Sequence, residues 1–147
     1  MWALLLCLTA LCPTRGHAQT LVSIPDPAFR NFLETNANFA GCMVGTPGNK
    51  QLNTQCAAGV TGIMNCSDNQ ISSLQGIEHF TGLTLLNCSF NQLTSLNVSQ
   101  NTALQTLNCS SNQLTSLNVS QNTALQTLWC SFNQLTSLDL SQNTALE

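Results

Sequence analysis

Residues 93–113 read LTSLNVSQNTALQTLNCSSNQ, and residues 114–134 read LTSLNVSQNTALQTLWCSFNQ. Self-similarity at a fixed period of this length marks a repeat architecture, in which each unit buries its apolar side only against its neighbours. Working outward, Cys66, Cys88, Cys109 and Cys130 lie 22, 21 and 21 residues apart, and Asn69, Asn91, Asn112 and Asn133 follow them by three. A further turn opens at Leu135 and runs to Glu147, where the sequence stops inside it.

The spacing predicts a coil with a short strand in each turn. In Leu86-Asn87-Cys88, alternation sends Leu86 and Cys88 to one side and Asn87 to the other. Coils stacked about 4.8 Å apart bury each leucine under the next. The asparagines stand where the chain turns inward, and a ladder of amides can satisfy turn peptide groups that would otherwise be buried unpaired. Leu96-x-Val98-x-x-Asn101 repeats the format of Leu86-x-Cys88-x-x-Asn91, so each coil consists of two half-repeats. The return side is then too short for a helix, whose width of about 10 Å splays helix-backed coils apart. The expectation is a solenoid of mostly β-strand and turn, flattened and weakly curved.

Leu83-x-x-Leu86-x-Cys88-x-x-Asn91-x-Leu93, recurring from Leu104 and Leu125, is the leucine-rich repeat pattern. Residues 71–83, ISSLQGIEHFTGL, resemble the internalin-type repeat, and LVSIPDPAF at residues 21–29 resembles the cap that precedes repeats in such exported proteins. The chain therefore resembles a bacterial cell-surface leucine-rich repeat protein, internalin-like in broad terms. That resemblance implies a binding role and specifies no ligand, since such repeats host many unrelated partners.

Three regions are expected: an export signal over 1–18, an N-terminal cap over 19–59 and the solenoid over 60–147, open at its C-terminal end. Trp2 to Cys12 is apolar apart from Thr9, and Gly16-His17-Ala18 offers small residues before a cut at Gln19. The run is too short to span a bilayer. In the cap, Asp26 and Pro27 are a helix N-cap and first helical residue, and Phe29, Phe32 and Leu33 follow at helical spacing. The predicted helix runs from about Pro27 to Thr35 and closes one end of the leucine stack.

Charged residues make up 6% of the chain and the net charge is −3, against about 25% charged in an average soluble protein. That balance excludes the basic footprint of a nucleic-acid binder and a polybasic membrane patch. No membrane insertion is expected after signal cleavage. The acids Asp26, Glu34, Asp68, Glu78, Asp139 and Glu147 are scattered, with no pair placed as general acid and base. His79 reads as a solvated turn residue. No Cys/His spacing suits zinc, and no phosphate or calcium loop is present, so neither enzyme nor cofactor is expected.

The four ladder cysteines read as small inward core residues. Cys42 and Cys56 lie outside the repeats and are expected to pair as a structural disulfide worth roughly 3 kcal/mol. Asn65, Asn87, Asn97, Asn108 and Asn118 each open an N-x-Ser triplet, read here as a by-product of repeat duplication rather than as glycan sites.

The leading functional reading is an exported, adhesin-like binding module that presents its repeat face to a protein or glycan. Two alternatives stand beside it. One is a non-catalytic arm of a larger secreted enzyme continuing beyond residue 147, and the other an ice-binding solenoid using the Thr94, Thr115 and Thr136 array. The expected face comes from comparing copies. Asn87 and Asn108 give way to Trp129, and Phe90, Ser111 and Phe132 share the position three residues on. Large aromatics at outward positions mark interaction sites, so Trp129, Phe132, Asn108, Asn87 and Phe90 are the candidate ligand contacts.

Overall fold

In a computed structural model, residues 19–47 and 49–147 are described; the expected export signal over 1–18 lies outside them. The N-terminal part holds β1 (Leu21–Ser23), α1 (Pro27–Thr35), β2 (Met43–Val44), β3 (Gln51–Asn53) and α2 (Thr54–Gly59). Asp26 is extended, and its Oδ1 accepts the Phe29 amide at 2.8 Å, starting α1 with Pro27 in the first turn. Phe29, Phe32 and Leu33 form its buried stripe. Beyond α1, two features have no counterpart in the sequence expectations. A small antiparallel sheet runs in the order β1-β3-β2, and Asn53 caps α2 by accepting from Gln55 N and Cys56 N.

The repeats follow. Strands β4 (Thr61–Asn65), β5 (Gly82–Asn87), β6 (Thr106–Asn108) and β7 (Thr127–Trp129) form a parallel sheet in chain order. Their register aligns Met64, Leu86, Leu107 and Leu128, with Asn65, Asn87, Asn108 and Trp129 beside them. On the return side an isolated parallel bridge joins Asn97 to Asn118, and no helix occurs between residues 80 and 147.

One core runs through both parts. Phe39 links the cap to the first coil: it packs on Phe32 and meets Phe80 edge-on, with centroids 5.8 Å apart. Gly76 is required at this seam, because at φ +109° a Cβ would overlap Ile24 Cδ1. Each repeat then stacks Leu83, Leu86 and Cys88 under Leu104, Leu107 and Cys109, all fully buried.

The front asparagines tie one coil to the next. Asn112 Nδ2 donates to Cys88 O in the coil below at 3.0 Å and to Cys109 O in its own coil at 3.1 Å, while Oδ1 accepts Leu93 N at 3.0 Å. Asn91 and Asn133 repeat this scheme. Asn69, placed in the same ladder by its spacing, is a correction. It is exposed, and its Nδ2 reaches only Ser67 O, because no equivalent coil carbonyl lies beneath the first turn. A second ladder stands on the return side. Asn101, Asn122 and Asn143 are buried, and each donates Nδ2 to two carbonyls of the preceding coil at 2.9–3.0 Å.

Candidate ligand-binding face

The candidate face is built from two rows at the end of the parallel strands. Asn65, Asn87, Asn108 and Trp129 form the first, aligned by strand register. The side-chain Oδ1 of each asparagine accepts the amide of the serine two residues on, Ser67, Ser89 and Ser110, at 3.1–3.2 Å. These are Asx turns, in which a short carbonyl side chain mimics a backbone turn. They give the N-x-Ser triplets a physical cause, and Asn97 and Asn118 make the same bond on the return side. Trp129 breaks the row: an indole offers Ser131 N no acceptor.

Asp68, Phe90, Ser111 and Phe132 form the second row. All four are left-handed, with φ of 54°, 54°, 54° and 56°. The turn imposes this conformation, since the following front asparagine must point back onto the strand-end carbonyls. For a bulky side chain it costs about 1–2 kcal/mol, and glycine or asparagine would serve the turn better. Nor do the two phenylalanines recover that cost by packing inward. Phe90 is 65% exposed, Phe132 84%, and Trp129 53%. Of the expected contacts, Trp129 ends the last strand and Phe132 follows it by three residues, with Phe90 two coils away in the row of Phe132. Asn87 and Asn108 hold the turns with their oxygens, and their Nδ2 groups make no hydrogen bond within the described residues.

Behind this face lie the thiols. Cys66, Cys88 and Cys109 are buried and Cys130 half-buried. Burial pushes Cys66 and Cys109 up to about 12, neighbouring Cys130 adding to the effect at Cys109, and it drives Cys88 well above its ordinary value. Thiolate is the reactive form, so these groups are inert in the native fold. Cys42 and Cys56 are joined by a disulfide that fastens α2 to the 3-10 turn Ala40–Cys42. Alkylation without reductant, followed by peptide mass mapping, should therefore leave Cys42 and Cys56 unmodified. Cys66, Cys88 and Cys109 should be labelled only after denaturation, and Cys130 before them. Two alkylated thiols at Cys42 and Cys56 would remove the disulfide, and equal native labelling of all four ladder positions would remove the burial argument.

Among the described residues, no group of three or more His, Cys, Asp or Glu could hold a metal ion, and no helix is long and apolar enough to cross a membrane. A family model for leucine-rich repeats in two copies matches residues 102–147. Over 39 residues the chain is 46% identical to Internalin J of Listeria monocytogenes, a stretch covering 26% of this chain and 4% of that protein. Among solved structures, it resembles the functional domain of InlJ from Listeria monocytogenes, described as including a cysteine ladder. There the TM-score is 0.74 and the identity 37%, over 88% of this chain and 28% of the other. An internalin, InlF, of the same species shares the fold at a TM-score of 0.69 and 20% identity, over 83% of this chain and 35% of that one. The chain thus spans about a third or less of each of these relatives.

Proposed function

We propose, for a chain that is an internalin-like leucine-rich repeat protein, an exported, non-catalytic binding role in which the strand-end face around Trp129, Phe132 and Phe90 holds a protein or glycan outside the cell. One observation carries this reading. At the positions where successive coils differ on this face, the substitutions abandon what the local backbone favours and place exposed aromatic rings there instead. Departures from local consistency without a packing gain are expected at functional positions. Trp129 forgoes an Asx turn, and Phe90 and Phe132 hold left-handed backbone. The return side carries no helix over residues 80–147, which supports a weakly curved solenoid and a broad face rather than a deep cleft. Export is supported by the apolar run before Gln19 and by the Cys42–Cys56 disulfide, a bond that persists in oxidising compartments.

The test uses immobilised panels of extracellular proteins and polysaccharides. The intact chain is compared with Phe90→Ala, Trp129→Ala, Phe132→Ala and an exposed control outside the two rows, Thr115→Ala. Retention on at least one surface should weaken by about 2 kcal/mol for Trp129→Ala or Phe132→Ala. Melting should change little, because the truncated rings are exposed, and Thr115→Ala should bind as the parent does. Retention indifferent to all three aromatic truncations would show that the face lies elsewhere.

A further inference from the structure

Three features of the face select among neutral, charged and protein partners. The first is charge. From Phe80 to Leu138 the sequence contains no Asp, Glu, Lys, Arg or His, so the coils bearing Phe90, Trp129 and Phe132 offer no partner for an ion pair, and the one charge in the row, Asp68, lies a coil below Phe90. A protein epitope brings charged side chains, and a polyanionic glycan brings sulfates or carboxylates. Burying either against the uncharged coils from Phe90 to Phe132 leaves those charges desolvated and unpaired, which is costly. A neutral partner meets no such penalty.

The second is spacing. Phe90 and Phe132 occupy the same position two coils apart, separated by Ser111. Neighbouring strands lie about 4.8 Å apart, so the two rings stand on backbone positions about 10 Å apart along the solenoid axis. In an extended β-1,4-linked pyranose chain successive units alternate in facing, and the same face returns after two sugars. That repeat is close to two coil spacings. Alternate sugars would stack on Phe90 and Phe132, and the intervening unit would pass over the small Ser111. The C–H face of a pyranose is apolar and slightly positive, suited to the negative face of an aromatic ring.

The third is hydrogen bonding. The Oδ1 atoms of Asn87 and Asn108 are committed to Ser89 and Ser110, which fixes both amides in orientation. Their Nδ2 groups are left as donors one coil apart beside the aromatic row, and sugar hydroxyls accept such bonds.

We propose that this face binds a neutral, extended polysaccharide of β-1,4-linked pyranose units lying along the solenoid axis across the coils from Phe90 to Phe132. The proposal rests on the face assigned above and names its partner.

The experiment uses the full chain carrying Trp2→Phe, so that Trp129 reports alone. Its emission is titrated with soluble hexamers of β-1,4-linked glucose and of β-1,4-linked N-acetylglucosamine, and with the curved α-1,4-linked glucose hexamer. A saturable change is expected with at least one β-linked hexamer, about tenfold tighter than with the α-linked one. Binding should be indifferent to salt, since no charges are paired. Phe90→Ala and Phe132→Ala should each weaken it about fivefold or more with unchanged melting. Equal response to the α-linked hexamer, or affinity that falls with salt, overturns the proposal. Silence towards both β-linked hexamers, with aromatic-dependent retention on a protein surface, overturns the polysaccharide and leaves the face standing. Calorimetric binding of a β-linked hexamer that survives all three aromatic truncations overturns the face as well.

Discussion

Replacing Asp26 with Ala should lower the stability of the protein by about 3–5 kcal/mol, more than any single aromatic truncation on the face. Asp26 is 5% exposed and serves two structures with one carboxylate. Oδ1 caps α1 through Phe29 N at 2.8 Å. Oδ2 accepts Ser72 N at 2.8 Å, Ser72 Oγ at 2.6 Å and Ser73 N at 2.9 Å, holding the cap onto the first coil. Each hydrogen bond to a charged group contributes about 1.5–3 kcal/mol, and the four are not additive because they share one side chain. Asp26→Asn keeps the shape, loses the charge and replaces one acceptor oxygen with a donor. It should cost about half as much. Burial raises the Asp26 pKa, but the bonds from Ser72 Oγ, Phe29 N, Ser72 N and Ser73 N outweigh it, holding the group below its ordinary 3.8. A lowered folded pKa gives stability that is complete above the ordinary value and is lost as pH falls through the folded one. Denaturant melts from neutral pH downward should therefore show an acid loss, starting below about pH 4, that Asp26→Asn lacks. Parallel acid losses in the two proteins would show that another group is responsible.

Only half of that double role can be read along the chain. Asp26-Pro27 ahead of Phe29, Phe32 and Leu33 is a local signal for a helix start, and α1 occupies Pro27–Thr35. Nothing in the same stretch points to Ser72 and Ser73, which arrive only when the first coil folds back onto the cap. The same division runs through the repeats. Period and format reveal the leucine-rich coil because the inward leucines, cysteines and asparagines between Leu83 and Leu146 recur at one spacing and stack on their nearest neighbours. The stacking fails at the edge: Asn69 shares the spacing of Asn91 but has no coil beneath it, so it stays exposed. Asn101 falls in the half-repeat format of Asn91, yet that format alone does not show how deeply Asn101, Asn122 and Asn143 are buried. The short helix α2 carries no long amphipathic pattern; the Asn53 cap and the Cys42–Cys56 bridge hold it in place. On the face, Trp129 and Phe132 are legible as departures between near-identical copies. What they displace is not, because Asp, Phe and Ser have no shared propensity for the left-handed turn they occupy. Tertiary stacking sets it, and only the backbone reveals that the two phenylalanines are placed at a conformational cost.

Deleting one whole coil, Leu114–Gln134, should leave a folded protein, whereas deleting the half-coil Leu114–Ala124 should cost roughly twice as much stability. The whole-coil deletion joins Gln113 to Leu135, and the last turn docks on the coil below as before, with one interface fewer. The half-coil deletion joins Gln113 to Leu125 and preserves the inward pattern on paper, with Leu125, Leu128, Cys130 and Asn133 standing where Leu114, Leu117, Val119 and Asn122 stood. The two half-repeats nevertheless differ in backbone. On the return side Asn122 N bonds Val119 O three residues back, closing a local turn. On the strand side Asn112 N bonds Phe132 O of the next coil across a left-handed residue, and Asn112 Oδ1 accepts Leu93 N. The halves also differ in length, since Leu104 follows Leu93 by 11 residues and Leu114 follows Leu104 by 10. Phe132 would be forced into a turn built for a right-handed residue, and the segment from Leu125 onward would find neither ladder in register. It should detach, removing two interfaces instead of one. Thermal melts rank the two deletions, and hydrogen exchange locates the difference: amides beyond residue 134 stay protected in the first, and those beyond residue 124 lose protection in the second. Equal melting points with equal protection would mean that leucine spacing alone sets the register, and that the turn geometries beneath Trp129 and Phe132 do not hold the face in place.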